Sequence, residues 1–219
     1  MSRWIPALLL SLLALTVELS LLAIRPRVPR WGQFLIEIGA PLLGGPLPLG
    51  LALWAGWLSL RDVGLVGPHR LAPGALLGWL PADWIRGIGL ASLYGGATLL
   101  ALWGAGLWRP GPLPRSERLE KAFAGLAREA LVALGRGILM AALFRENPLP
   151  AAWIAFGIWW GTWQGVGKRM GIRPGPEVWG GALTATALFG LTGHLWLSAA
   201  LHALIAAALA GPASREGAG

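Results

Sequence analysis

Apolar residues run along this chain in long blocks, and the polar and charged residues fall between the blocks rather than alternating within them. The first block, Ile5 to Ile24, is broken only by Ser, Thr and Glu18. At about 1.5 Å rise per residue it is long enough to cross a bilayer. It predicts a retained helix over Trp4–Ile24 rather than a cleaved leader, since it ends in Arg25-Pro26-Arg27 without a small-residue cleavage site. A second helix is predicted over Gln33–Leu60, kinked or split at Gly44-Gly45-Pro46 and Pro48. Arg61 to Pro81 reads as a polar connector with a short helix from Pro73 to Leu80. A third long helix is expected over Asp83–Trp108, with Asp83 as its N-cap. Ser116 to Arg145 is amphipathic at its start and apolar later, and Asn147-Pro148 stops it. Three short helices follow, Ala151–Val166, Val178–Leu191 and Leu195–Ala210, the last two joined tightly by Thr192-Gly193-His194. The polar tail from Gly211 to Gly219 is expected to be disordered. The expected fold class is all-α, a polytopic transmembrane bundle of seven spans, or eight if the second helix splits. The expectation is a single membrane domain over 1–219, with N-terminal helices in 1–108 and a second helical group in 116–210.

Composition sharpens this picture. Only 13% of the 219 residues are charged, where a soluble domain carries roughly 25%. The net charge of +8 does not point to nucleic acid, because no basic helix or stripe with interleaved aromatics is present. Arginines fall in the loops, where they meet lipid headgroups and set topology. Arg25, Arg27, Arg30, Arg109, Arg115, Arg118, Lys121, Lys168, Arg169, Arg173 and Arg215 lie in alternate loops, which the positive-inside rule places in the cytoplasm. Arg3, Arg61, Arg70, Arg86 and Arg145 lie on the opposite side, which puts the N-terminus outside and the C-terminus inside. Trp4, Trp31, Trp84, Trp108 and Trp153 flank apolar runs, where interfacial anchors are expected. The absence of cysteine excludes disulfides, thiolate metal sites and a Cys nucleophile. The excess of Arg, Ala, Leu, Gly and Pro is the mark of a GC-rich genome.

The stretch Leu131-Val132-Ala133-Leu134-Gly135-Arg136-Gly137, the stretch Leu191 to Leu204 with His194 and His202, and the connector Arg61-Asp62-Val63-Gly64-Leu65 together carry a resemblance. Leu131 to Leu209 resembles the CPBP family of CAAX-processing and bacteriocin-processing intramembrane proteases, also called Abi proteins. That family has three motifs on separate helices: E-E-x-x-x-R, F-x-x-x-H and H-x-x-x-N. The resemblance implies a multi-pass protein of the bacterial inner membrane. It also implies amide hydrolysis by a water that a glutamate deprotonates, with His and Asn holding the water or the oxyanion. Here Arg136 and His202 stand at their motif positions. The two glutamate positions fall on Leu131 and Val132, the second-motif Phe and His on Trp160 and Gln164, and the Asn on Ala206. Leu and Val accept no proton, Gln164 is no base, and Ala206 donates nothing. A lone histidine is not a metal site, and no cofactor is implied.

The remnant motif positions are therefore Arg136, Gln164 and His202, with Glu129 as a fallback carboxylate. Positions 129 and 131 point about 200° apart on a helix, so Glu129 is expected to face away from the family site. Its plain reading is a solvated or headgroup-level residue beside Arg128 or Lys121. His202 is expected to bond a backbone carbonyl or Gln164, and His194 to serve as an N-terminal cap or interface residue. Arg136 needs partners inside an apolar helix, and the candidates are Gln164, backbone carbonyls or Glu129 at i−7. Glu18 and Glu37 lie near membrane depth, and each can pair with an arginine. The Gly180-Gly181-Ala182 and Ala206-Ala207-Ala208 stretches fit close helix packing.

Three functional readings follow. The first is a degenerate, non-catalytic member of the CPBP type that packs or assembles with other membrane subunits, or binds a hydrophobic peptide or lipid in the former catalytic cavity. The second is a working intramembrane endopeptidase that uses Glu129 and His202. The third is a transporter that depends on Glu18 or Glu37, for which the sequence offers no inverted repeat.

Overall fold

The computed structural model describes residues 2–69, 71–107, 115–145, 147–167, 169 and 176–209. Trp108, Arg70, Arg109, Lys168, Arg173, Arg215 and the tail over 211–219 lie outside the described residues. Those described form a helical bundle whose only extended pairing is a bridge between Leu76 and Trp79. The helices are α1 (Trp4–Ile24), α2 (Arg30–Gly44), α3 (Pro46–Trp54), α4 (Pro81–Gly104), α5 (Arg115–Ala142), α6 (Pro148–Thr162), α7 (Pro176–Thr192) and α8 (Leu195–Leu209). Among the described residues three stretches are long and apolar enough to cross a membrane: Trp4–Arg27, Arg30–Trp54 and Pro81–Gly104.

The expected break in the second helix falls at Gly45, between α2 and α3. Two causes combine there. Pro46 and Pro48 remove backbone donors, and the Gly45 Cα packs so tightly on the Ala127 carbonyl of α5 that no Cβ fits. The helix also ends earlier than its hydropathy indicates, at Trp54 rather than Leu60, because Gly56 takes a positive φ of 69°. Residues 73–80 form no helix. Leu76 and Trp79 exchange backbone hydrogen bonds of 2.9 and 3.0 Å around Leu77 and Gly78, both at positive φ. Asp83 is not the N-cap of α4. It sits at N3, where its carboxylate accepts the Leu80 N–H at 2.9 Å, while Pro81 occupies N1. Asn147 caps α6, its side chain accepting from the Leu149 N–H at 3.1 Å. α6 closes in a π-helical turn over Trp163–Gly167.

α5 is the centre of the bundle. Arg118 to Lys121 near its start are exposed, but from Ala127 onward it is enclosed by α1, α2, α3, α6, α7 and α8. Three apolar clusters result. Leu49, Val63, Leu134, Ile138 and Phe189 fill one side. Leu131, Val132, Trp159, Trp163 and Val178 fill another. Leu102, Leu188, Leu201 and Ile205 join α4 to the α7–α8 pair. The small residues flagged in the sequence serve close approach, Gly181 against His202 and Ala206 against Gly125. The connector after α3 is pinned to the start of α8: the Leu195 N–H donates to the Gly64 carbonyl and the Trp196 indole to the Leu65 carbonyl, each at 3.0 Å.

Replacing Gly45 with Ala is expected to push α3 off α5 and destabilise the fold by about 1–3 kcal/mol. Gly50→Ala, where a Cβ meets open space, is the control. Thermal unfolding in detergent should show a lowered Tm for the first variant and little change for the second.

Candidate functional site

Arg136 lies within the last two turns of α5, fully buried. Two turns earlier on the same face stands Glu129, also fully buried. Nη1 of Arg136 donates to Oε1 of Glu129 at 2.5 Å. The second guanidinium nitrogen, Nη2, donates to Oγ1 of Thr186 on α7 at 3.3 Å. The Phe189 ring, one turn on from Thr186, carries the guanidinium carbon 4.5 Å from its centroid. Oε2 of Glu129 meets Nδ1 of His202 on α8 at 3.0 Å. A carboxylate paired with an arginine only accepts, so Nδ1 carries the proton of that bond. His202 Nε2 and Arg136 Nε have no hydrogen-bond partner among the described residues. Glu129, Arg136, Thr186 and His202 are each 0% exposed.

This corrects the plain reading of Glu129. The helical angle holds, since Glu129 points away from Leu131 and Val132 and toward α8. It is nevertheless not solvated, because α5 has neighbours on every side. It also corrects the partner expected for His202, which bonds Glu129 rather than Gln164 or a carbonyl. Gln164 is exposed in the turn after α6 and takes no part in the network. Of the candidate partners for Arg136, Glu129 at i−7 is the one found. Leu131, Val132 and Trp160, three of the positions where the family motifs carry other residues, share one apolar cluster. Thr186 and Phe189 had no signal in the sequence, because a threonine and a phenylalanine in an apolar helix are ordinary.

A second polar group is buried at the α7–α8 turn. His194 precedes α8, and its carbonyl accepts the Ser198 N–H at 3.2 Å. Its ring does not cap the helix. It stacks on Trp79, centroids 4.3 Å apart, and meets the edge of Trp84 at 4.2 Å. Both ring nitrogens lack a hydrogen-bond partner among the described residues. Burial pushes the imidazole down to about 4, against the opposing pull of the Asp83 carboxylate.

Glu37 and Glu18 each have an arginine charge acting on them. Glu37 forms an ion pair with Arg25. Glu18 is buried on α1 against Gly44, with the charge of Arg128 acting on it.

No family model, no curated protein and no solved structure matches this chain.

Arg136→Met strands a buried carboxylate and is expected to cost about 3–5 kcal/mol. Arg136→Met with Glu129→Leu removes both charges and should recover most of that loss. Thermal or chemical unfolding of the two variants measures the difference. For His194, the unfolded chain takes a proton near the ordinary 6.5 and the folded chain only near 4. The stability it confers is complete above pH 6.5 and is lost as pH falls from there to 4. His194→Phe, which keeps the stack, should flatten the wild-type decline in Tm across that window.

Proposed function

We propose that this chain is a multi-pass protein of the bacterial inner membrane with a CPBP-like bundle that has lost peptidase chemistry and works as a packing or assembly subunit. The observation that carries this reading is the complete burial of Glu129, Arg136, Thr186 and His202. A hydrolytic site needs water and a substrate to reach its base, and these four side chains are wholly covered. Both oxygens of Glu129 are already occupied, by Arg136 and His202. The apolar cluster that holds Leu131 and Val132 fills the region where the resemblance would require the two carboxylates. In this reading the network is a lock that joins α5, α7 and α8, with its opposite charges paired inside a buried segment. The outer faces fit a bilayer and neighbouring helices: Ile85, Leu93, Leu100 and Trp103 of α4 are all exposed.

One observation favours the peptidase reading. Glu129 orients the His202 imidazole through Nδ1 and leaves Nε2 unpartnered. That is the arrangement of a carboxylate-positioned general base. A cavity of about 220 Å³ reaches Phe189, and the same ring carries Arg136. Movement of Phe189 is the shortest way for water to reach the network.

The test pairs two measurements on protein purified gently from its native membrane. Mass spectrometry should find a fixed stoichiometric set of membrane subunits, and prenylated or hydrophobic membrane peptides should be cleaved no faster than by Glu129→Gln. A chain that purifies alone and cleaves such peptides, with Glu129→Gln folded but inactive, overturns the assembly reading and establishes the peptidase.

A further inference from the structure

The start of α1, the turn after α3 and the end of α5 enclose a cavity of about 890 Å³. Arg3, Arg61 and Arg145 line it, together with a single carboxylate, Asp62. That carboxylate is committed to its own turn. Oδ2 of Asp62 accepts the Ser59 N–H at 2.8 Å, and the Asp62 N–H donates to Oγ of Ser59 at 3.2 Å. Among the described residues the guanidinium of none of the three makes a hydrogen bond or ion pair. Three guanidiniums against one carboxylate leave the concavity net positive, and that field favours an anion. Guanidinium forks match the oxygens of a phosphate bidentately.

The surroundings identify what carries the anion. The cavity is far larger than a bare ion needs and is of the size that holds a small organic group. The indoles of Trp4 and Trp57 also line it, side chains suited to the headgroup level of a bilayer. From Trp4 the apolar surface of α1 continues through the exposed Leu8, Leu9 and Leu12. An acyl chain laid on that surface brings its headgroup to the cavity. We propose that this cavity binds a phosphate group, and that the headgroup of an anionic phospholipid supplies it. The lipid part rests on the membrane reading above, whereas the phosphate site does not.

Native mass spectrometry of the purified full chain, with phosphatidylglycerol or phosphatidylcholine added to the micelles, reads the preference directly. Wild type should hold phosphatidylglycerol about tenfold more tightly, and Arg61→Gln with Arg145→Gln should reduce the preference to about twofold or less. Arg3→Gln, a change at an exposed residue ahead of α1, carries the same comparison if the double variant does not fold. A parallel arm measures Tm with inorganic phosphate alone. Protection of wild type but not of the variant by phosphate, without any lipid preference, keeps the phosphate site and overturns the lipid as its source. Equal phosphatidylglycerol binding by wild type and variants overturns the proposal. A chain that stays in solution without detergent fails the membrane reading instead, a separate result.

Discussion

The guanidinium of Arg136 sets the terms for the rest of the bundle. A permanent charge at the centre of an apolar structure must be neutralised within hydrogen-bond reach. On α5 itself only the i−7 position supplies a carboxylate on the same face. Glu129 thus fixes which side of α5 is polar, and α7 and α8 must bring polar atoms to that side. Thr186 and His202 do so, and Gly181 has no side chain to hold α7 away from the His202 ring. The most charged of the long helices is thereby the most enclosed one. Its buried charges cancel in pairs instead of facing solvent.

The end of the bundle near Trp79 is organised on a different principle. There the polar group, His194, is held by aromatic stacking rather than by hydrogen bonds. The turn that presents it depends on Gly193 at a φ of 67°, and Gly64 packs on the Gly193 carbonyl. Hydrogen bonds from the Leu195 N–H to Gly64, and from the Trp196 indole to Leu65, then join the connector to α8. Arg3, Arg61, Arg86 and Arg145 all lie at this end, lining cavities that share Arg61, Arg145 or Trp79. Loop parity in the sequence assigns these four arginines to one side, and the fold brings them together.

Much of the helical outline was legible because hydropathy and breakers agree. α1 and the α7–α8 turn fall where the pattern puts them, and Gly45-Pro46 breaks the second helix. Misreadings came where local propensity and tertiary contact compete. Residues 55–60 continue the apolar run past Trp54 and read as helical from composition. The chain instead turns at Gly56, so that Leu58 and Val63 reach the Gly137 surface of α5. The run over 73–80 has helix-compatible residues, but Leu77 and Gly78 adopt positive φ and the backbone folds back on itself. The candidate site was half legible. Arg136, His202 and Glu129 stood out as polar residues in apolar helices. Their association was hidden, because a helical wheel gives the direction of a side chain and not what packs against it. Glu129 points away from Leu131 in a helix with neighbours all round, so "away" still means inward.

That geometry bears on the choice between a lock and a catalyst, since both require the same first contact. A carboxylate that works as a base needs an oxygen free for the proton it removes. Each oxygen of Glu129 already accepts one hydrogen bond, whereas Nε2 of His202 has no partner among the described residues. For that nitrogen to act, water must reach a side chain that is wholly covered, and α7 must give way at Gly181, where its backbone already touches the ring. A movement of that size separates α7 from α8 and weakens the bonds that hold Arg136. In the assembly reading proposed above, the dependence of the network on three helices at once is also what opposes its use in hydrolysis. A peptidase built on these residues has to open the bundle without losing the ion pair, and Phe189 is the side chain placed to allow it.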